Sequence, residues 1–193
     1  MIDSKEFFDN DVEKALTVLR SGGVILYPTD TIWGLGCDAT NSEAVDKVGR
    51  IKKREGDKSL IILMTDERQI IKYVAAPDLA VFDFIEKQTR PTTIIFEDGI
   101  GLPEELTTDG TIGIRIVKDK FCRHLIRRLQ KPIVSTSANI SGQPSPSIFP
   151  EISDEIKNQV DYIVQWRQDD LNIVEPSQII KWRIGGDYSV VRS

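Results

Sequence analysis

Short apolar runs, each ended within four to six residues by proline or polar side chains, recur along this chain: Val24–Tyr27 before Pro28, Leu60–Met64, Thr92–Phe96, Ile112–Val117 and Pro132–Ser135. Runs of that length, rich in Ile and Val, are too short for helices and read as buried strands. Between them lie stretches whose apolar residues repeat at helical spacing. Asp9-Asn10-Asp11 offers caps for a helix that turns Val12, Ala15, Leu16 and Leu19 inward, and Gly22-Gly23 stops it. Asn41-Ser42 caps a second helix, with Ala44, Val45, Val48 and Ile51 on its inner face. Helical patterns follow from Arg68 to Val74, from Asp78 to Lys87 and from Phe121 to Leu129. Tyr162–Val164, Gln178–Ile180 and Ser189–Val191 are predicted as short closing strands. Alternating strands and helices imply one α/β domain over residues 1–193, an open twisted mixed sheet flanked by helices. The chain shows no internal repeat and no dividing linker, and 193 residues can bury a full core.

The charge balance narrows the partners. With 25 Lys and Arg against 30 Asp and Glu the net charge is -5, which argues against a protein that coats nucleic acid indiscriminately. No apolar run reaches the length of a bilayer span, and the start lacks a signal peptide's basic and apolar regions, so a cytoplasmic protein without membrane attachment is expected. Cys37 and Cys122 stand outside any C-x-x-C spacing, so neither a disulfide framework nor a metal site is expected.

Three segments at predicted strand ends could carry chemistry, as ligands in layered α/β folds gather there. Arg50-Ile-Lys-Lys-Arg-Glu-Gly-Asp-Lys58 places five cations in nine residues. Lys52, Arg54 and Lys58 are candidates for phosphate contact, Arg as a planar fork and Lys as a point charge. A solvated helix end is the equally plain alternative. Ser135-Thr-Ser-Ala-Asn-Ile-Ser-Gly142 has side chains small enough for its backbone to curl and turn N–H groups towards an anion. It is neither a Walker loop nor a Rossmann fingerprint, since neither glycine spacing occurs. Ser141–Pro150 reads as a loop or flap. In Tyr27-Pro-Thr-Asp-Thr31 the hydroxyls and the Asp30 carboxylate could orient a small polar substrate, although on local grounds a self-satisfied turn is the better reading. His124, the sole histidine, falls on a helix among Lys and Arg and is read as an exposed helix residue. With no nucleophile–base arrangement in view, what remains is catalysis by positioning and charge neutralisation, the usual demand of chemistry at phosphorus.

Together these motifs resemble the YrdC family, the threonylcarbamoyl-AMP synthases of tRNA modification. The resemblance rests on Tyr27-Pro-Thr-Asp-Thr-x-x-Gly-Leu-Gly-Cys-Asp38, Lys52-x-Arg54 with Lys58, Thr111-Ile-Gly-Ile-Arg115, Ser135-Thr-Ser-Ala-Asn-Ile-Ser-Gly-Gln-Pro-Ser145, and Pro176-Ser177 followed by Arg192. It implies a concave basic face and a nucleotidyltransferase that makes threonylcarbamoyl-AMP and pyrophosphate from L-threonine, bicarbonate and ATP with Mg²⁺. It further implies contact with tRNA or double-stranded RNA, and threonylcarbamoyl transferase proteins to take the product. Carried over by position, Thr31, Arg115, Ser135 and Ser177 would bind threonine. Arg54, Lys58, Thr111, Ser137, Asn139, Ser145 and Arg192 would bind ATP, with Lys52, Arg54 and Lys58 catalytic. The pattern is departed from at Trp33, where Tyr is usual; at Ser59, where Pro is usual; and at Leu63, where some members place a histidine. Thr89-Arg90-Pro91-Thr92-Thr93 replaces a Pro-Gly-Pro stretch and adds a cation. A YciO-like paralogue with another substrate, or an RNA-binding module without chemistry, are the competing readings.

Overall fold

The computed structural model describes residues 4–54, 60–107 and 109–193. Nine strands among the described residues form one sheet in the order β7-β1-β2-β6-β3-β5-β4-β8-β9. The elements run α1 (Ser4–Arg20), β1 (Ile25–Tyr27), β2 (Gly34–Gly36), α2 (Ser42–Ile51), β3 (Ile61–Met64), a 3₁₀ helix at Glu67–Lys72 and α3 (Ala80–Lys87). Then come β4 (Thr92–Phe96), β5 (Ile112–Ile116), α4 (Lys120–Leu129), β6 (Ile133–Ser137), α5 (Asp154–Lys157), β7 (Tyr162–Ile163), β8 (Gln178–Trp182) and β9 (Tyr188–Arg192). Pairing is mixed as expected: β3–β5, β4–β8 and β1–β7 are parallel, while β1–β2, β2–β6, β3–β6, β4–β5 and β8–β9 are antiparallel.

Helices cover both faces. On one, α1 and α4 pack Leu16, Leu19, Phe121 and Leu125 against Ile25, Tyr27, Leu63 and Ile133. On the other, α2, the 3₁₀ helix and α3 bury Val45, Val48, Ile70 and Val81 against Leu26, Ile62, Ile94, Ile114 and Val134. The α2 pattern came out as predicted, with the Asn41 side chain accepting from Ala44 N and Ala44, Val45, Val48 and Ile51 all buried. Each of its large apolar side chains contributes about 1.5–3 kcal/mol of burial, so Val48→Asp is the single change that would detach this helix.

Two local expectations are corrected. The first helix starts at Ser4, not at the Asp9–Asp11 caps. Asp11 lies inside it, and its buried carboxylate accepts from the Gln165 and Trp166 amides, tying α1 to the chain beyond β7. The stretch after Pro28, expected to be rich in turns, also holds a strand: Gly34-Leu-Gly36 lies between β1 and β6. There a Cβ on Gly36 would stand 2.6 Å from the Tyr27 ring and 2.8 Å from the Val134 carbonyl oxygen, closer than real Cβ atoms approach. Glycine is required at that point because the strands have no room for a side chain.

The register also explains why a site exists. Leu63, Ile133 and Tyr27, on the face covered by α1 and α4, are fully buried. Further along the same face, cross-strand pairing aligns Ile61 with Gly113 and Ser135, Arg115 with Thr93, and Gly34 with Ser137. Apart from Ile61, these residues are small, polar or cationic. A groove opens there.

Candidate functional site

The groove comprises two adjoining cavities that share Thr136, Ser137 and Arg192. The first, about 660 Å³ counted to its open mouth, includes Thr31, Thr93, Arg115, Ser135, Ser145 and Ser177 in its lining. The second, about 780 Å³ on the same basis, is lined by Lys52, Arg54, Asn139, Ser141, Gly142 and Gln143 among others. All four residues expected to hold the amino acid therefore meet in one cavity. Lys52, Arg54 and Asn139 meet in its neighbour, with Ser137 and Arg192 on the boundary.

Arg115 is the charge at the floor of the first cavity. It is 3% exposed, with Nη2 3.2 Å from Asp30 Oδ1 and 3.5 Å from Thr29 Oγ1, while its Nε has no hydrogen-bond partner among the described residues. A buried guanidinium with one N–H unspent is a demand for an acceptor. Asp30 fixes the group from behind, and its own Oδ2 accepts the Lys118 amide. The hydroxyl turn expected at Thr29–Thr31 is present: Thr29 Oγ1 accepts from Thr31 N at 3.0 Å and donates to the Ile32 carbonyl at 2.9 Å. That turn does not exhaust Thr31, which also faces the cavity.

Across from Arg115, Ser177 is 3% exposed and its Oγ lies 2.9 Å from Thr93 Oγ1. Its carbonyl accepts both Nε and Nη2 of Arg192, at 3.2 and 2.8 Å, so the last strand is aimed into the groove by a forked contact. Burial and, secondly, the charge of Arg115 push the Arg192 guanidinium below its ordinary pKa. Two cations converging on one hollow are a site prepared for negative charge.

In the second cavity Lys52 follows α2 and is 6% exposed. Its ammonium donates to the carbonyls of Ser137 at 2.6 Å and Asn139 at 2.8 Å, and the Ser141 amide donates back to the Lys52 carbonyl at 2.8 Å. Lys52 thus pins the serine-bearing bend while adding charge to it. Desolvation, followed by repulsion from Arg54, lowers its pKa to about 8. Asn139 Nδ2 donates to the Ile140 and Gln143 carbonyls, holding the bend curled. Gly142, at φ +84°, turns the chain back in a conformation that other residues rarely adopt. The loop continues to Phe149, whose ring centroid is 4.8 Å from that of Trp33, so the aromatic slot at Trp33 clamps the flap.

Some expected residues are not gathered here. Lys58 and the departure at Ser59 lie outside the described residues. Thr111 lines neither cavity; its amide and hydroxyl both donate to Asp109, at 3.0 and 2.7 Å. Leu63 is wholly buried against the α1 and α4 side and does not reach the groove. His124 sits on α4, its Nε2 3.8 Å from Asp9, and lines neither cavity. Thr93, by contrast, was passed over. Its sequence signal was weak, a hydroxyl in the middle of an apolar strand, where burial demands a partner. No three metal-ligating side chains cluster among the described residues, and no described helix is long and apolar enough to cross a membrane.

Comparison with known proteins bears on this geometry. The family described as Sua5_yciO_yrdC, telomere recombination, matches residues 17–193. A protein of Methanocaldococcus jannaschii, provisionally named threonylcarbamoyl-AMP synthase, is 36% identical over 180 residues, covering 91% of this chain and 84% of its own. The threonylcarbamoyl-AMP synthase of Pseudoalteromonas translucida is 33% identical over 157 residues, covering 79% and 84%. Among solved structures, P. abyssi Sua5 complexed with L-threonine superposes with a TM-score of 0.82 at 22% identity, over 94% of this chain and 53% of that one. The chain thus spans about half the length of that protein. E. coli YciO superposes at 0.81 with 26% identity, over 95% and 89%.

Proposed function

The chain belongs to the Sua5/YciO/YrdC family, and on that footing we propose that it is a threonylcarbamoyl-AMP synthase, joining L-threonine, bicarbonate and ATP with release of pyrophosphate. One observation carries the reading. A cavity floored by a buried arginine and rimmed by hydroxyls opens directly into a second one that bears Lys52 and Arg54. An amino acid and a polyphosphate would therefore meet at Ser137 and Arg192.

The chemistry follows from the charges. Arg115 takes the carboxylate of threonine with its unspent Nε–H, and Thr31, Ser135 and Ser177 surround the rest of a small hydroxylated side chain. Threonine and bicarbonate condense to a carbamate, whose oxygen attacks the α-phosphorus of ATP; the bond to the β-phosphate breaks and pyrophosphate leaves. Both reactants are anions, so their approach is repulsive in water. Lys52, Arg54 and Arg192 offset that repulsion within a partly desolvated groove. In the bend after β6 the amides of Ala138, Asn139 and Ser141 are spent on backbone carbonyls, which leaves those of Ile140 and Gly142 as further donors. With cations and hydroxyls but no carboxylate cluster among its described residues, the groove as described is not suited to hold a metal by itself. Mg²⁺ would enter on the phosphates, neutralising charge on the leaving group. Lys58 and Thr111, the latter the residue before β5, keep their proposed nucleotide roles. Transfer of the product to tRNA through partner proteins, in the cytoplasm, completes the proposal.

The likeness to YciO leaves one rival, a paralogue with a different substrate. The assay that decides is pyrophosphate release with threonine, bicarbonate and ATP, each omitted in turn. Release that requires all three supports the synthase. Release indifferent to threonine overturns it.

A further inference from the structure

Of the four residues proposed to hold threonine, three stand on the sheet or directly beside it: Arg115 in β5, Ser135 in β6 and Ser177 just before β8. Thr31 does not. It lies in the connection between β1 and β2, where residues 28–33 hold no helix or strand. Strand pairing therefore fixes three walls of the first cavity and not the fourth. The hydroxyl turn from Thr29 to Ile32 holds these residues to one another, not to the body of the protein.

Arg167 supplies the outside contact. Its Nη1 donates to the Thr29 carbonyl at 3.0 Å and lies 3.5 Å from Asp119 Oδ2, and its Nε donates to Asp170 Oδ2 at 3.1 Å. Asp119 is itself held, since its Oδ1 caps α4 by accepting the Cys122 amide at 2.8 Å. The Cys122 thiol in turn donates to the Pro28 carbonyl at 3.3 Å. A ring closes through Asp30: its Oδ2 accepts the Lys118 amide, while their neighbours Thr29 and Asp119 meet on the one guanidinium.

The backbone that presents Arg167 is unusual. Its φ is +67°, in the left-handed region that favours glycine and strains any other residue. The chain just before it is tied down, with the Gln165 and Trp166 amides on the Asp11 carboxylate. The strain is offset by a fork whose three acceptors come from three separate segments.

We propose that Arg167 is a positioning residue for threonine, acting through the Thr29 carbonyl without touching the substrate. Holding that carbonyl sets the plane of the next peptide, and with it the directions of Asp30 and Thr31. Asp30 backs Arg115 at 3.2 Å, and Thr31 faces the cavity. Arg167 lines a small hollow that shares Thr31 and Trp33 with the first cavity, but it lines neither cavity of the groove. The second cavity contains no residue of the ring, so threonine recognition should respond and nucleotide binding should not. The role rests on the reading of the first cavity as the threonine site.

The test is calorimetric titration of the full chain with L-threonine, joined to pyrophosphate release at varied threonine and varied ATP. Arg167→Gly suits the backbone and deletes the guanidinium, which separates the fork from the strain. It should weaken threonine binding and raise the KM for threonine about tenfold, with kcat and the KM for ATP within about twofold of wild type. Arg167→Lys, a point charge in place of a fork, should recover part of the loss, to within about threefold of wild type. Asp170→Asn keeps Oδ1 for its contacts to Asn172 and removes the acceptor of Arg167 Nε. It should raise the KM for threonine about threefold alone and by no further factor on top of Arg167→Gly. If Arg167→Gly fails to fold, Arg167→Lys and Asp170→Asn still decide. Threonine bound equally by wild type and Arg167→Gly, or both KM values raised alike, would overturn the positioning role and leave the synthase reading standing. Threonine binding that Arg167→Gly weakens, without pyrophosphate release even from wild type, would keep the role and overturn the synthase. A wild-type chain that binds no threonine would overturn both.

Discussion

The Lys52 ammonium lies 2.6 Å from the Ser137 carbonyl oxygen, 85 residues away in the chain, and so joins the end of α2 to the bend that follows β6. A lysine spent on carbonyls is first an organiser of the loop. Its charge serves the nucleotide only because the loop is curled around it. Lys52→Ala is therefore expected to act twice. The exposed carbonyls of Ser137 and Asn139 turn to solvent, costing about 1–3 kcal/mol, and pyrophosphate release falls by about two orders of magnitude. Hydrogen exchange across Ser137–Gly142 reports the first effect separately; protection equal to wild type would exclude the anchoring role.

The depressed pKa of Lys52, about 8, gives the site a pH signature. Only the protonated amine contributes charge, so affinity for a non-hydrolysable ATP analogue should decline above that pH, by about tenfold at pH 9. For stability the sign is opposite. Between about pH 8 and the ordinary lysine value the unfolded chain carries the extra proton, so this group's contribution to folding becomes more favourable as pH rises. A flat affinity profile from pH 7 to 9 would remove Lys52 from nucleotide binding.

Arg115→Ala should raise the KM for threonine at least tenfold while moving that for ATP less than threefold, because Arg115 lines the first cavity and not the second. The variant also strands Asp30, which is 12% exposed at its side chain, so some loss of thermal stability accompanies it. Arg115→Ala with Asp30→Asn should recover that stability without recovering threonine binding. An equal change in both KM values would refute the division of the groove.

Much of this was legible in the sequence because the signals were local. The Asn41 cap, the four inward residues of α2 and the β-branched runs are each settled by neighbours within a turn or a strand. β2 was not legible. Gly34-Leu-Gly36 has low strand propensity, and Gly36 is dictated by Tyr27 and Val134, which reach it only once the sheet has formed. The start of α1 was misjudged for a related reason: Asp11 looked like a cap, but its partners are the amides of Gln165 and Trp166, more than 150 residues on. The site residues were found through spaced motifs, which record the convergence of distant side chains without explaining it. Thr111 is named by its motif alone, since it lines neither cavity and donates to its own Asp109. Thr93, outside every motif, escaped notice although it lies beside Arg115 in register.

Thr93 is accordingly the residue whose alteration tests the geometry rather than the motif. It is wholly buried, and its hydroxyl lies 2.9 Å from that of Ser177. Two adjacent buried hydroxyls fix each other's protons, so Ser177 presents a defined donor or acceptor to the cavity. Thr93→Val keeps the shape and removes that control, at a cost of about 1 kcal/mol in stability. Threonine recognition should suffer more than folding, with its KM rising about five- to tenfold and discrimination against serine and valine narrowing. The KM for ATP should stay put. Thr93→Ser, which restores the hydroxyl but not the methyl, should return threonine binding to within about twofold of wild type. Rescue by serine separates an orienting hydroxyl from mere packing. If Thr93→Ser behaves like Thr93→Val, the pair is structural and Ser177 meets the substrate without its help.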